Sequence, residues 1–170
     1  MNTRNLTGTL TTLLSELVDG APSTGCYMLN RADPGLLRSL DRLSAAAASA
    51  ATPGGASIAA HVDHIRYSLW LMNRWAAGEE LWRDADWTAS WRRTSVSDAE
   101  WQRLRSELRD EAERWLEVMR TPREVAEREL NGMVASIAHL AYHLGAIRQI
   151  DRAARGPSAE EERALKGLKT

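Results

Sequence analysis

A chain of 170 residues has the size of one domain, here residues 1–170, and is long enough to bury a core. Its 22 basic and 23 acidic residues leave a formal charge of -1, which gives no electrostatic footprint for nucleic acid or for an anionic membrane surface. The single cysteine, Cys26, excludes a disulfide framework and a cysteine-based zinc motif.

The N-terminal stretch MNTRNLTGTLTTLLSELVDG lacks an apolar run of signal-peptide length, and no window approaches the roughly 18 apolar residues of a membrane span. The expectation is a soluble cytoplasmic protein. Sustained period-2 alternation and β-branched clusters are nearly absent, which predicts an all-α fold.

In chain order, a first helix is predicted over about residues 5–18, with Leu6, Leu10, Leu13, Leu14 and Leu17 on one side; DGAPSTG stops it. A shorter helix follows Asp33 and Pro34, a good cap and a tolerated first position, and runs through GLLRSLDRLSAAAASA to TPGG. The next begins near Ser57 and carries the apolar stripe Ile58, Val62, Ile65, Leu69, Met72 and Ala76, closed by Gly78. A long connection rich in tryptophan, EELWRDADWTASWRRTS, leads to a capping box, SDAE at 97–100. That box starts a helix with Trp101, Leu104, Leu108, Ala112, Trp115 and Met119 on one face and the solvated charges of RSELRDEAER on the other. After TPRE, the last long helix is predicted from about 131 to 155, with Gly156 and Pro157 ending it. Four long amphipathic helices with one extra short helix and one long connection predict a four-helix bundle, in which a parallel pair of neighbours is allowed.

All four histidines occur as helical neighbours: His61 and His64 three apart, His139 and His143 four apart. On a helical wheel the second pair borders the Met133, Ile137, Leu140, Leu144 and Ile147 ridge, and the first pair borders the Ile58, Val62 and Ile65 ridge. The two pairs converge if these helices meet. A single histidine beside an apolar stripe is ordinarily a core or boundary residue bonded to a carbonyl. Four imidazoles in two pairs also suit a divalent metal, which satisfies several ring nitrogens at once.

GASIAAHVDHI ahead of an amphipathic helix, with HLAYHLGAIRQI on the last helix, resembles the DinB/YfiT-like family of candidate metalloenzymes. The tryptophan-rich segment from His64 to Trp91 resembles one branch of it, so the likeness covers about residues 35–155. The resemblance implies a DinB/YfiT-type four-helix bundle with the metal on His64, His139 and His143. His61 is a fourth ligand, a partner that hydrogen-bonds a ligand ring, or a plain core histidine. Many members carry Asn, Arg and Gln on the last helix, where this chain has Ala138, Leu144, Gly145 and Ala146 around its pair.

Three imidazoles leave a coordination position open and suit zinc or nickel first, with iron or manganese as further candidates. No HExxH is present: Leu140 stands where its glutamate would be, so a protease-like mechanism lacks its base. The resemblance implies instead a metal-dependent transferase acting on a low-molecular-weight thiol of the bacillithiol or mycothiol type and an electrophile; a non-catalytic metal-binding or stress-related bundle is the alternative. Catalytic residues are not assignable from the sequence. Asp63, Arg66, Tyr67 and Tyr142 are candidate pocket or rim residues. Of the seven tryptophans, in a chain with no phenylalanine, five lie between residues 70 and 91. They form a lid beside the metal or cover a bundle end or dimer seam. The apolar first and fourth helices also suit a homodimer.

Overall fold

The computed structural model describes residues 3–121, 123–158, 160, 161, 163 and 164. Its helices are α1 (Thr3–Asp19), α2 (Gly35–Leu40), α3 (Ala45–Ala48), α4 (Ile58–Ala76), α5 (Asp98–Arg120) and α6 (Glu127–Ile150). Two short 3-10 turns cover Ala89–Arg92 and Arg152–Ala154. Among the described residues there is no strand, only one isolated bridge between Ala51 and Ser57. No described helix is long and apolar enough to cross a membrane.

The helix starts follow their caps. Ser57 Oγ accepts from Ala60 N at the head of α4. At α5 the capping box is complete, with Ser97 Oγ accepting from Glu100 N and the Glu100 carboxylate accepting from Ser97 N. The segment expected as one short helix after Pro34 is two. α2 stops at Leu40, and Ser44 restarts the chain by accepting from Ala47 N. Pro34 itself occupies the cap position, and Asp33 Oδ1 accepts from Gly35 N beside it.

The last helix also departs from expectation. It starts at Glu127, four residues before the expected Asn131, because acidic residues are favourable in a first turn. It ends at Ile150, well before Gly156, because Asp151 leaves helical geometry and its side chain accepts from Ala153 N to begin the 3-10 turn. Gly156 instead lies against the Asp33 carboxylate, where a Cβ has no room.

The four long helices pack around one core, with α1 and α4 each lying against both α5 and α6. Leu14 and Leu17 of α1, Ile58, Val62, Ile65 and Leu69 of α4, Leu108 and Trp115 of α5, and Leu140, Leu144 and Ile147 of α6 are all buried in it. Ala76, the last member of the expected α4 stripe, is exposed, so the stripe ends at Met72. Trp115 is wholly buried, and its indole N–H is satisfied by Ser136 Oγ at 2.9 Å, which links α5 to α6 through the centre of the core. Burial of the two ridges sets the rotation of α4 and α6 and turns both histidine pairs into the seam between these helices.

Candidate metal centre

The four imidazoles form one chain of contacts. His64 Nε2 lies 3.1 Å from His139 Nε2, and His143 Nε2 lies 3.0 Å from the same atom. His61 Nδ1 lies 2.9 Å from His143 Nδ1. His64, His139 and His143 each present one nitrogen to a shared point, the three atoms lying within 4.8 Å of one another, and they can hold a metal ion there. Nitrogens held tetrahedrally at 2.0–2.1 Å from one ion are roughly 3.3 Å apart, so the observed Nε2 spacings need to open by only a few tenths of an ångström.

The rings are neutral at neutral pH. Burial lowers the pKa of all four, with His64 brought to about 4 and His143 to about 3. For His64 and His143 the neighbouring imidazoles lower it further, while Asp63 pulls His64 partly back up. A neutral imidazole carries one N–H and one lone pair. With hydrogen on Nδ1, His139 donates to Ser68 Oγ at 3.2 Å and His143 donates to His61 Nδ1, and the Nε2 lone pairs then face one another. These tautomers follow from the partners, and they are the ones a ligand histidine needs. Ser68 thus orients His139, and His61 orients His143 from outside the convergent trio.

His64 differs. Its Nδ1 is buried with no hydrogen-bond partner, and its ring is held by aromatic contact: Trp91 at 4.4 Å between centroids and Trp87 at 5.9 Å. Trp91 also lies 5.4 Å from His61 and 5.8 Å from His143. Both tryptophans come from the long connection, which two anchors fix to α4. The buried Asp63 carboxylate accepts from Arg66 at 2.9 Å and from Arg93 at 3.0 Å, and Ser57 Oγ donates to the Arg93 carbonyl at 2.8 Å. Arg93 directly follows the turn that carries Trp91, so the pair of anchors sets that ring over the histidines.

The remaining sequence candidates sit around this group. Arg66 is paired with Asp63 and reaches Glu107. Tyr67 Oη accepts from Asp86 N, its ring stacked on Trp70 and edge-on to Trp87. Tyr142 is exposed but sets its ring edge-on to His143 at 4.9 Å. A cavity of about 410 Å³ opens instead on the other side of His139, between Trp75, Trp82 and Trp87 of the tryptophan group and Arg128, Gly132 and Ala135 of α6; none of Arg66, Tyr67 and Tyr142 lines it. Its far wall reaches Ser68 and His139. A Cβ at Gly132 would stand 2.7 Å from Trp75, so only glycine lets the tryptophan approach α6 this closely.

Ser68 and Gly132 are the participants that residue-by-residue reading passes over. Ser68 lies one turn beyond His64 on the same face, a spacing that could have marked it. Gly132 carries no such signal.

No protein-family model matches the chain, and no curated protein or solved structure matches it.

Proposed function

We propose that this chain is a DinB/YfiT-like four-helix bundle that holds one divalent ion, zinc or nickel, on His64, His139 and His143, and that it transfers a low-molecular-weight thiol to an electrophile. The observation that supports the reading is the convergence of one ring nitrogen from each of three neutral imidazoles on a shared point. Such a group is poorly satisfied by protons alone and well satisfied by a cation. An ion bound there would supply Lewis acidity at an open position, sufficient to bring a thiol to its thiolate near neutral pH.

The chain's own residues do the rest. Ser68 and His61 keep two ligand rings in the required tautomer, and Trp87 and Trp91 keep water from the third. Asp63, the nearest carboxylate in sequence, has both oxygens engaged by Arg66 and Arg93. Leu140, buried, offers none. With the Asp63 carboxylate engaged, the site favours a nucleophile that ionises readily on its own, which a thiol does and water does not.

A second reading, a metal holder in sensing or stress response without turnover, draws on the Trp91 ring, which covers His64 and His143. The test is metal analysis of the purified chain beside His139→Ala after exposure to zinc and nickel salts, followed by assay with a small thiol and chlorodinitrobenzene. The proposal expects about one ion per chain, lost in the variant, and turnover only with metal. Metal without turnover moves the conclusion to the second reading; no bound metal removes both.

A further inference from the structure

The cavity beside His139 has one kind of wall and one charge. Trp75 and Trp82 meet edge to face at 5.8 Å, and Trp82 and Trp87 lie nearly parallel, 10° apart with centroids 6.2 Å apart. Met72 and the bare backbone of Gly132 continue the apolar surface. The polar groups at the inner end are already engaged: Ser136 with Trp115 and the Met133 carbonyl, Ser68 with His139. No acidic side chain lines the cavity. Its one charged group is Arg128, exposed at the rim with its guanidinium 5.7 Å over the Trp75 ring, and it makes no ion pair among the described residues.

We propose that this pocket binds a flat, apolar organic anion of the bicyclic aromatic carboxylate class, the ring against the tryptophans and the carboxylate on Arg128. The volume falls in the range of small-molecule sites and suits two fused rings. Planar tryptophan walls select a planar ring over a flexible chain, because each contact face is flat and the ring loses little conformational freedom on binding. The unpaired guanidinium selects a carboxylate at the outer end. The opposite edge of the ring then points toward Ser68 and His139, which places the reacting end of an electrophile beside the metal centre; for that role the assignment rests on the function proposed above.

The test is calorimetric titration of the full chain, freed of metal by a chelator, with naphthoate, naphthalenemethanol and octanoate, beside Arg128→Gln and Ala135→Leu. Removing metal prevents the carboxylate from binding an ion directly. Both positions are exposed on α6, so neither change disturbs the core, and circular dichroism verifies the fold. The expected result is one naphthoate per chain, weakened about tenfold in Arg128→Gln with naphthalenemethanol unaffected, and weakened for both ring compounds in Ala135→Leu, whose larger side chain narrows the cavity it lines. Octanoate or naphthalenemethanol binding the wild type as tightly as naphthoate overturns the proposal, as does naphthoate binding that ignores Ala135→Leu. An ion count on the untreated protein reports separately on the metal centre, so failure of one reading is distinguishable from failure of the other.

Discussion

Helix α4 has two polar seams, and they are built on opposite principles. Toward α5, unlike groups meet: Asn73 Nδ2 donates to the Glu111 carboxylate at 2.7 Å and to its carbonyl at 3.0 Å, and Arg66 reaches Glu107. Toward α6, like meets like: four imidazoles face one another, and the Ser68 hydroxyl is the one partner of another kind that the rings bond among the described residues. The α5 seam is nearly complete in itself, with only the Asn73 carbonyl oxygen left unpartnered. In the α6 seam, three ring nitrogens share a point at which a metal ion can be held. A helix of one composition can therefore carry a structural face and a receptive face, and what separates them is whether each donor already has its acceptor.

The largest effect comes from breaking the centre that both seams share. Trp115→Ala removes a fully buried indole and the N–H that Ser136 Oγ accepts from, and the expected loss is about 3–5 kcal/mol by chemical denaturation. Trp115→Phe keeps most of the ring and isolates the hydrogen bond, at about 1–2 kcal/mol. Were Trp115→Phe as stable as the wild type, the link from α5 to α6 would be packing alone.

The receptive seam responds to pH through two of its histidines. His64 and His143 have folded pKa values of about 4 and about 3, below the ordinary 6.5 that they regain on unfolding. Between those values the unfolded chain binds protons that the folded chain refuses, so the metal-free protein loses stability as pH falls from 6.5 toward 4. Above 6.5 both states are neutral at these groups and the stability they contribute is fully present. The expected outcome is a melting temperature that falls with acidification over this window, and falls less steeply in His143→Leu. Equal slopes in the two proteins would mean that some other group carries the dependence.

Much of this was legible residue by residue. The apolar stripe of α4, the capping box of α5 and the pairing of the histidines at helical spacing each depend on residues within a few positions of one another, and each is found in the structure. The break at Asp41 and the early end of α6 were not legible, because Ala-containing sequence able to form helix follows both; Ser44 restarts the chain after the first by capping α3, and at the second the Asp151 side chain turns back on its own backbone. The convergence of the two histidine pairs could be stated only as a condition, since helix adjacency is not a local property. The ring over His64 was harder still. It depends on Asp63 meeting Arg93, 30 residues on, inside a stretch whose composition suggests only a loop.

That anchor yields the smallest effects and the sharpest contrast. Asp63→Asn keeps the shape of the side chain and removes the charge that Arg66 and Arg93 share; with both guanidinium groups partly exposed, the expected loss is only about 1–2 kcal/mol. Glu107→Gln cuts the outer end of the same network, a 3.6 Å contact with a half-exposed carboxylate, and should change stability by less than about 0.5 kcal/mol. Stability alone would rank these two as minor variants of one another. Trp91 separates them, because Asp63, unlike Glu107, joins Ser57 in holding Arg93 and therefore the turn that lays the indole over His64. In Asp63→Asn the indole should swing toward water, which red-shifts its emission and admits a soluble quencher, while Glu107→Gln leaves both unchanged. The reading is made against a Trp91→Leu background, in which the difference between the two should vanish. If it persisted there, the anchor would be acting on the other tryptophans and not on the ring that covers the histidines.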